Sequence, residues 1–510
     1  MSRPDRHRQT LPGSPGLTDA RSLARVPHVV VVGAGIAGLA AAAGLCERGV
    51  SVDVVESRDY LGGRVGGWPD TLADGSVAAM NRGFHAFFRQ YYNLRSLLGR
   101  VDRELEMLRP VNDYPLIDVA GRLDTFEGLP HTPPLNALAF ALRSPTFRLR
   151  DLIRLNARAA APLAAVSVPD IYGRLDHLDA ESFLRDINFP EAARHLAFEV
   201  FSRSFFAEPA ELSAAELATM FHIYFLGSSE GLVFDVADAN FDVALWNPLA
   251  GHLESIGVRF HTGVSVTAVR AAGRLTVRCD TGAEIAADGV VLATDVAALR
   301  QIVENSPGIG DHGWRRRVAS LRSAAPFVVH RLWLDRKANP DRAAFLGTGG
   351  RPPLDNVSVL ERYEREALTW SLRTGGSVVE LHSYAVRPRT EGIPERLRAR
   401  LHELYPELAD ANAIGEKVLC YNDCPRFAPG DFAERPGVVT PQEGLVLAGD
   451  GIRVDLPVAL MERAATTGFS AANTLLARFG LCGHALRTVP TKGRSTMLSR
   501  LADGERVHHR

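Results

Sequence analysis

VVVVGAGIAGLAAAAGLCERGVSVDVVE, residues 29–56, is the stretch from which the fold of this chain is read. Val29 to Val32 form a continuous apolar run, as a strand buried on both faces of a parallel sheet requires. Gly33 turns the chain, Gly35 lets a pyrophosphate approach the backbone around Ala34, and Gly38 allows the next helix to lie close on the strand. That helix, read as amphipathic and carrying Ala37 in its first turn, aims unpaired N–H groups at the phosphates. Val52, Val54 and Val55 make a second strand. Glu56 closes it, 18 residues after Gly38, where a carboxylate accepts from ribose hydroxyls and repels a 2′-phosphate. Strand, turn, helix and acid together predict a dinucleotide-binding βαβ unit.

The rest of the chain selects the dinucleotide. After Glu56 and Ser57, the run SRDYLGGRVGGW brings Gly62, Gly63 and Arg64 round as a second turn that offers a cation to the pyrophosphate. EGLVLAGDG (443–451) reads as another buried strand, and its Gly449–Asp450 turn places a carboxylate on a flavin's ribityl chain. A helix from about Leu460 through Met461 and Glu462 follows, with Ala464, Ala465 and Gly468 on its approach face. Its N-terminus stabilises negative charge on a reduced ring. Stretches 262–270, with Val266, and 288–295 read as two more strands, the first covering an adenine. The cofactor is therefore expected to be FAD.

These motifs fall in separated blocks, which makes the fold class α/β with a discontinuous Rossmann-like FAD-binding domain from 26–90, 240–300 and 415–480. The segments 91–239 and 301–414 are left to form a substrate domain of helices on a mixed sheet. Helical periodicity is clearest in 178–187, 190–206 and 394–408, whereas 377–386 alternates like a strand. Residues 1–25 mix Arg, Pro, Ser and Gly without an apolar core and read as a disordered lead-in. Residues 484–510 read as a polar tail.

A chain of 510 residues, 46% hydrophobic, is too long for one core, and its net charge of −1 carries no footprint for nucleic acid. Lys337, Lys417 and Lys492 are its three lysines, so nearly all the positive charge is arginine and single arginines carry little functional weight. Five cysteines, Cys46, Cys279, Cys420, Cys424 and Cys482, lack paired CxxC spacing, which argues against a zinc site or disulfide framework and fits a reducing cytoplasm. Cys420 and Cys424 are incidental neighbours rather than a redox pair. No apolar run is long enough to span a bilayer.

The segment MNRGFHAFFRQYYNL (80–94), with Gly83, Phe84, His85, Phe87 and Phe88, resembles the Gly-Leu-His-x-Phe-Phe stretch of phytoene and ζ-carotene desaturases. FVVHRLWLDRK (327–337), NDCPRFAPG (422–430) and VDLPVALMERAATTG (454–468) extend the likeness from about Val29 to Leu476. The chain is thus similar to two-domain flavin oxidases, most of all to the carotene desaturase/methyltransferases called isorenieratene or chlorobactene synthases. The resemblance implies hydride loss from a β-ionone ring, migration of one geminal methyl, and proton loss with a second desaturation to give an aromatic ring. It also implies an apolar carotenoid substrate, and quinone or oxygen as electron acceptor. One departure stands out: those enzymes usually have Met-Glu-Gly-Ala where this chain has Met461-Glu462-Arg463-Ala464. An Arg463 side chain facing the flavin would alter that chemistry.

Candidate roles follow. Phe84, Phe87, Phe88 and Tyr91 are expected to line an apolar pocket whose ring faces stabilise a cation. His85 is the leading candidate for taking the departing proton, with orientation of the flavin or ordinary core packing as its other readings. Asp423 and Glu462 are weaker catalytic candidates that either stabilise the cation or take the proton, or else merely cap a helix or pair with an arginine. Residues 129–165 interleave Leu138, Phe140, Leu142, Phe147, Leu149 and Leu152 with five arginines, which fits either a headgroup-layer surface or a core helix pair. The resemblance favours docking, hence a cytoplasmic protein peripheral on the inner face of the cell membrane. The rival readings are a phytoene/ζ-carotene-type desaturase or isomerase, from which residue spacing does not separate the ring chemistry, an amine or porphyrinogen oxidase, disfavoured because 450–462 holds no aromatic residue, and a flavin-free lipid escort, disfavoured by the intact cofactor motifs.

Overall fold

The computed structural model describes residues 5–133, 135–146, 154–194, 203–232, 234–387 and 391–493. Five parallel strands form the central sheet in the order Val258–Thr262, Ser51–Glu56, His28–Val32, Gly289–Leu292, Leu445–Leu447. Strand order reverses direction at His28–Val32, so a crevice opens beyond its carboxyl end, at the turn through Gly33. Val29, Val30 and Val31 are fully buried, as their unbroken apolar run predicts.

Helix Ile36–Cys46 departs from expectation. All eleven of its residues are buried, so it is apolar all round rather than amphipathic. The reason is the long helix Leu460–Arg478, which covers the face turned away from the sheet. A Cβ on Gly468 would stand 2.2 Å from Ala37 O, and the two backbones touch there because glycine permits it.

Of the two middle stretches, Gly289–Leu292 joins the central sheet, but Val266–Ala272 instead pairs antiparallel with Arg274–Cys279 in a separate three-stranded sheet. A seven-stranded mixed sheet stands over the crevice in the order Ala413–Tyr421, Phe327–Leu334, Ser377–Ser383, Asn356–Val359, Phe345–Thr348, Leu116–Ile117, Leu123–Asp124. Ala413–Tyr421 lies in this upper sheet against Phe327–Leu334, so position 415 does not open the cofactor-binding part as the motifs suggested. Ser377–Ser383 is a strand, as read, but both of its faces are buried. Helix Ile393–Leu404 covers one face through Leu397 and Leu401. Helix Ala180–Asp186 is also found, whereas of 190–206 the described ends hold single 3-10 turns, Glu191–Ala193 and Arg203–Phe205, and 195–202 lie outside the described residues.

The expected disordered lead-in is corrected. Gln9–Leu11 pairs antiparallel with Leu486–Thr488, and the Leu17 N–H donates to Gly480 O, tying the two ends of the chain together beside the long last helix. Polar composition misled because backbone hydrogen bonding in a two-stranded ribbon needs no apolar side chains. Residues 494–510, most of the expected polar tail, lie outside the described residues.

Candidate active site

The glycine turns are built as their spacing requires. Gly33 sits at φ +100°, its N–H donates to Val55 O at 2.8 Å, and a Cβ on Gly38 would come within 1.8 Å of Gly33 O. Gly35 has no such neighbour: its Cβ direction is open to 4.0 Å, where Gly63 Cα of the second turn begins. The Gly62 N–H donates to Ala34 O at 2.9 Å and locks the two turns side by side. Glu56 is positioned by three donors, the Ala34 N–H at 2.7 Å, the Arg58 N–H at 2.9 Å and the Ser57 hydroxyl at 3.2 Å. Two apposed glycine turns, a helix N-terminus and a fixed carboxylate fit the pyrophosphate and ribose of a dinucleotide.

A cavity of about 620 Å³ starts here, lined by Gly33, Gly35, Ala37, Glu56, Ser57, Gly62, Gly63, Val266, Gly449, Asp450 and Met461. Ala34, Gly38 and Gly83, also expected to hold the cofactor, are not among its lining residues. Arg64 is turned from the glycine turns onto Asp450 in a two-pronged ion pair, so the predicted phosphate cation and the predicted ribityl acid face each other across the cavity floor.

Arg463 faces away. Its guanidinium donates to Glu216 Oε2 at 2.7 Å and to Val458 O at 3.1 Å, while Arg435 donates to Glu216 Oε1 at 2.9 Å. Both guanidiniums lie over the Phe427 ring. Glu462 also leaves the catalytic list. It is buried away from the cavity and caps the helix Tyr92–Leu98, accepting from the Asn93 N–H at 2.8 Å and the Leu94 N–H at 3.0 Å. Burial raises its carboxyl to about 8 against the pull of those donors.

The same cavity continues past the cofactor motifs into an aromatic chamber. Phe84 packs on Phe345 at 4.6 Å and Phe234 at 5.5 Å, and Phe88 on Tyr224 at 4.4 Å. Phe84, Phe88, Tyr91, Tyr114, Phe126, Tyr224 and Phe234 line it. Phe87 does not. It is fully buried against Phe241, because neighbouring residues of the short strand Phe87–Phe88 point to opposite sides.

His85 lies between the two halves of the cavity. Its Nδ1 is 2.9 Å from Gly83 O, which only accepts, so Nδ1 carries the hydrogen and Nε2 keeps a free lone pair in the neutral ring. Burial lowers its pKa to about 4, outweighing the Gly83 hydrogen bond, and the cations Arg82 and Arg64 push the same way. Asp423 also lines the cavity, but both of its oxygens accept from Arg82, at 3.0 and 2.7 Å, and Arg82 itself stacks over Tyr421. Its role in this structure is pairing.

Several wall residues escaped the sequence reading: Arg82, Tyr114, Tyr224, Phe234, His382 and Tyr384. A signal existed for two of them. Glu380, His382 and Tyr384 recur every second residue, hence on one side of a strand otherwise rich in apolar residues.

The model of the flavin-containing amine oxidoreductase family matches residues 36–476. The chain belongs to the flavin-containing amine oxidoreductases. It is accordingly an FAD-dependent oxidoreductase. Within curated relatives it is 53% identical to a carotenoid phi-ring synthase of Streptomyces griseus, over 98% of this chain and 96% of that protein. A carotenoid phi-ring synthase of Chlorobaculum tepidum is 27% identical over 93% of this chain and 92% of its own, and a zeta-carotene desaturase of Synechocystis 26% identical over 88% and 97%. Among solved structures, putrescine oxidase superposes with a TM-score of 0.64 at 17% identity, covering 89% of this chain and all of that one. Cyclohexylamine oxidase of Brevibacterium oxydans gives 0.63 at 16%, again over 89% and 100%. These two likenesses are of fold alone.

Proposed function

We propose that this flavin-containing oxidoreductase converts the β-ionone ring of a carotenoid, of the β- or γ-carotene type, into an aromatic ring with migration of one methyl group. The observation that carries the reading is the single cavity that joins the apposed glycine turns to a chamber walled by phenylalanine and tyrosine. The 53% identity to a carotenoid phi-ring synthase supports the same substrate class.

Gly33, Gly35, Gly62 and Gly63 would hold the pyrophosphate, Glu56 the adenosine ribose, and Asp450 the ribityl chain. FAD when bound supplies a hydride acceptor. What remains is the work of this chain. Phe84, Phe88 and Tyr114 hold a ring that has lost hydride in a dry space and present their faces to its positive charge. His85 Nε2, deprotonated at neutral pH, takes a proton from it. A quinone or oxygen would be the final electron acceptor.

Entry from a bilayer is part of the proposal. Cavity residue Phe126 stacks at 5.0 Å on Phe140 of helix Leu135–Arg143. That helix exposes Leu135, Leu138 and Leu142 to 56%, 51% and 57%, an apolar stripe at helical spacing. Phe147, Leu149 and Leu152 of the same stretch lie outside the described residues. No helix among the described residues is long and apolar enough to cross a membrane, so the contact would be peripheral, on the cytoplasmic face. Anionic liposomes are expected to float the wild-type chain and to release it when Leu135, Leu138 and Leu142 are changed together to serine. Absence of wild-type flotation at both low and high salt would remove docking from the reading.

The deciding experiment is expression in cells that accumulate β-carotene or γ-carotene, followed by product mass and absorption. Loss of four hydrogens per ring at constant carbon number is expected. Linear-chain desaturation with the rings untouched would overturn the assignment.

A further inference from the structure

Aromatising one ring releases two protons besides two hydrides, so a cavity that does this chemistry needs more than one proton acceptor. His85 is one. A second arrangement stands on the wall formed by strand Ser377–Ser383 and the residue after it. His382 and Tyr384 both line the cavity, and the His382 ring abuts Gly83, two residues from His85. The Tyr384 hydroxyl is 2.6 Å from His382 Nδ1, and His382 Nε2 is 2.7 Å from Glu380 Oε1. Arg331 clamps the other oxygen of Glu380, with Nε at 2.8 Å and Nη2 at 2.6 Å.

The direction of these hydrogen bonds follows from the charges. Burial by itself would raise the Glu380 carboxyl, but Arg331 and the His382 ring outweigh it and hold it near 2. An ionised carboxylate can only accept, so Nε2 of His382 carries the hydrogen, and Nδ1 of the neutral ring accepts the Tyr384 O–H. The hydroxyl is thus aligned on a base whose far side is held by a carboxylate, the same logic by which an acid–histidine pair activates a hydroxyl elsewhere. Phe206 stands edge-on at 5.4 Å from the Tyr384 ring and Phe84 lies 6.4 Å from His382, while the Tyr384 backbone is held by charged groups, its N–H donating to Asp355 at 2.6 Å and its carbonyl accepting from Arg203 at 3.0 Å. An unpaired hydroxyl on this wall would be costly.

We propose that Tyr384, His382 and Glu380 form a proton relay that removes one of the two ring protons, with the Tyr384 oxygen as the atom that meets the substrate. In this step the electron pair of a ring C–H bond becomes a ring double bond. The proton released binds the Tyr384 oxygen, the tyrosine's own proton moves to His382 Nδ1, and the resulting imidazolium is held by the Glu380 carboxylate. The relay rests on the ring-aromatisation reading above, and it assigns a role to a buried polar chain that cofactor binding leaves unused.

The test uses the full, FAD-loaded chain mixed anaerobically with β-carotene in detergent micelles. Flavin bleaching in that mixture reads the first hydride removal, and product mass after a quinone is added as two-electron acceptor reads aromatisation, which takes two hydrides from each ring. Tyr384→Phe deletes only the hydroxyl, and His382→Gln breaks the second link. Both are expected to bleach in the first turnover within about twofold of wild type, with unchanged KM, while aromatic product falls by about tenfold or more. Partly dehydrogenated rings should replace it. Aromatic product at wild-type yield in Tyr384→Phe would overturn the relay, as would joint loss of bleaching and product in that variant, which marks a structural role. If wild type itself fails to bleach, the function assigned to the site falls first, and the relay with it. A His382→Gln chain that does not fold leaves Tyr384→Phe to decide.

Discussion

Glu216→Ala is expected to destabilise the FAD-loaded protein by about 3–5 kcal/mol, the range for removing one partner of a buried ion pair. Glu216 is fully buried, and the side chains of Arg463 and Arg435 are each 3% exposed, so neither cation reaches water. Burial alone would raise the Glu216 carboxyl, yet the two guanidiniums outweigh it and hold its pKa below the usual glutamate range. Without the carboxylate, two like charges remain side by side over Phe427. Glu216→Gln, nearly identical in shape, is expected to be almost as damaging, because the deficit is charge and not volume. Denaturant unfolding followed by flavin fluorescence measures both; a loss below about 1 kcal/mol in the alanine variant would show that the guanidiniums find other partners. This triad also answers the departure from the desaturase pattern, since Glu216 draws Arg463 out of the cavity and leaves the flavin side of the helix to Met461 and Ala464.

His85→Ala is expected to keep FAD bound and to lower turnover by about 10²–10⁴-fold, the usual worth of a positioned acid–base group. The flavin motifs lie on other elements, so the absorption spectrum of the bound cofactor should not change. In wild type, neutral imidazole is the working form. With the His85 pKa lowered to about 4 by burial, the step it serves should be constant from about pH 8 to about pH 5 and fall as pH drops through about 4. Wild-type turnover in the variant, or an acid limb near the ordinary histidine value, would remove His85 as a base.

The cofactor half of the site was legible because its information is local. Gly33, Gly35, Gly38 and Glu56 act through the backbone of one continuous βαβ unit, so their offsets along the chain are their positions in space. Even there, the helix Ile36–Cys46 was misjudged, since its outer face is covered by residues more than 400 positions later. The substrate half was less legible. The segment 80–94 supplies residues that line the chamber, yet only the register of Phe87–Phe88 decided that Phe88 faces the cavity and Phe87 the core. Glu462 and Arg463 are neighbours in a motif that promised contact with the flavin, and both are drawn away by partners, Asn93 and Glu216, that no spacing rule could supply.

By itself, then, the sequence determined the apposed glycine turns, the parallel sheet that carries them and the aromatic stretch beside them, because each is encoded in periodicity and glycine placement within a short window. Only the tertiary structure decided which charged groups reach the chamber. Arg331 meets Glu380 across two paired strands, and Arg463 meets Glu216 across helices 247 residues apart. A buried charge settles where its desolvation is offset by a partner, and the identity of that partner exists only once the chain has folded.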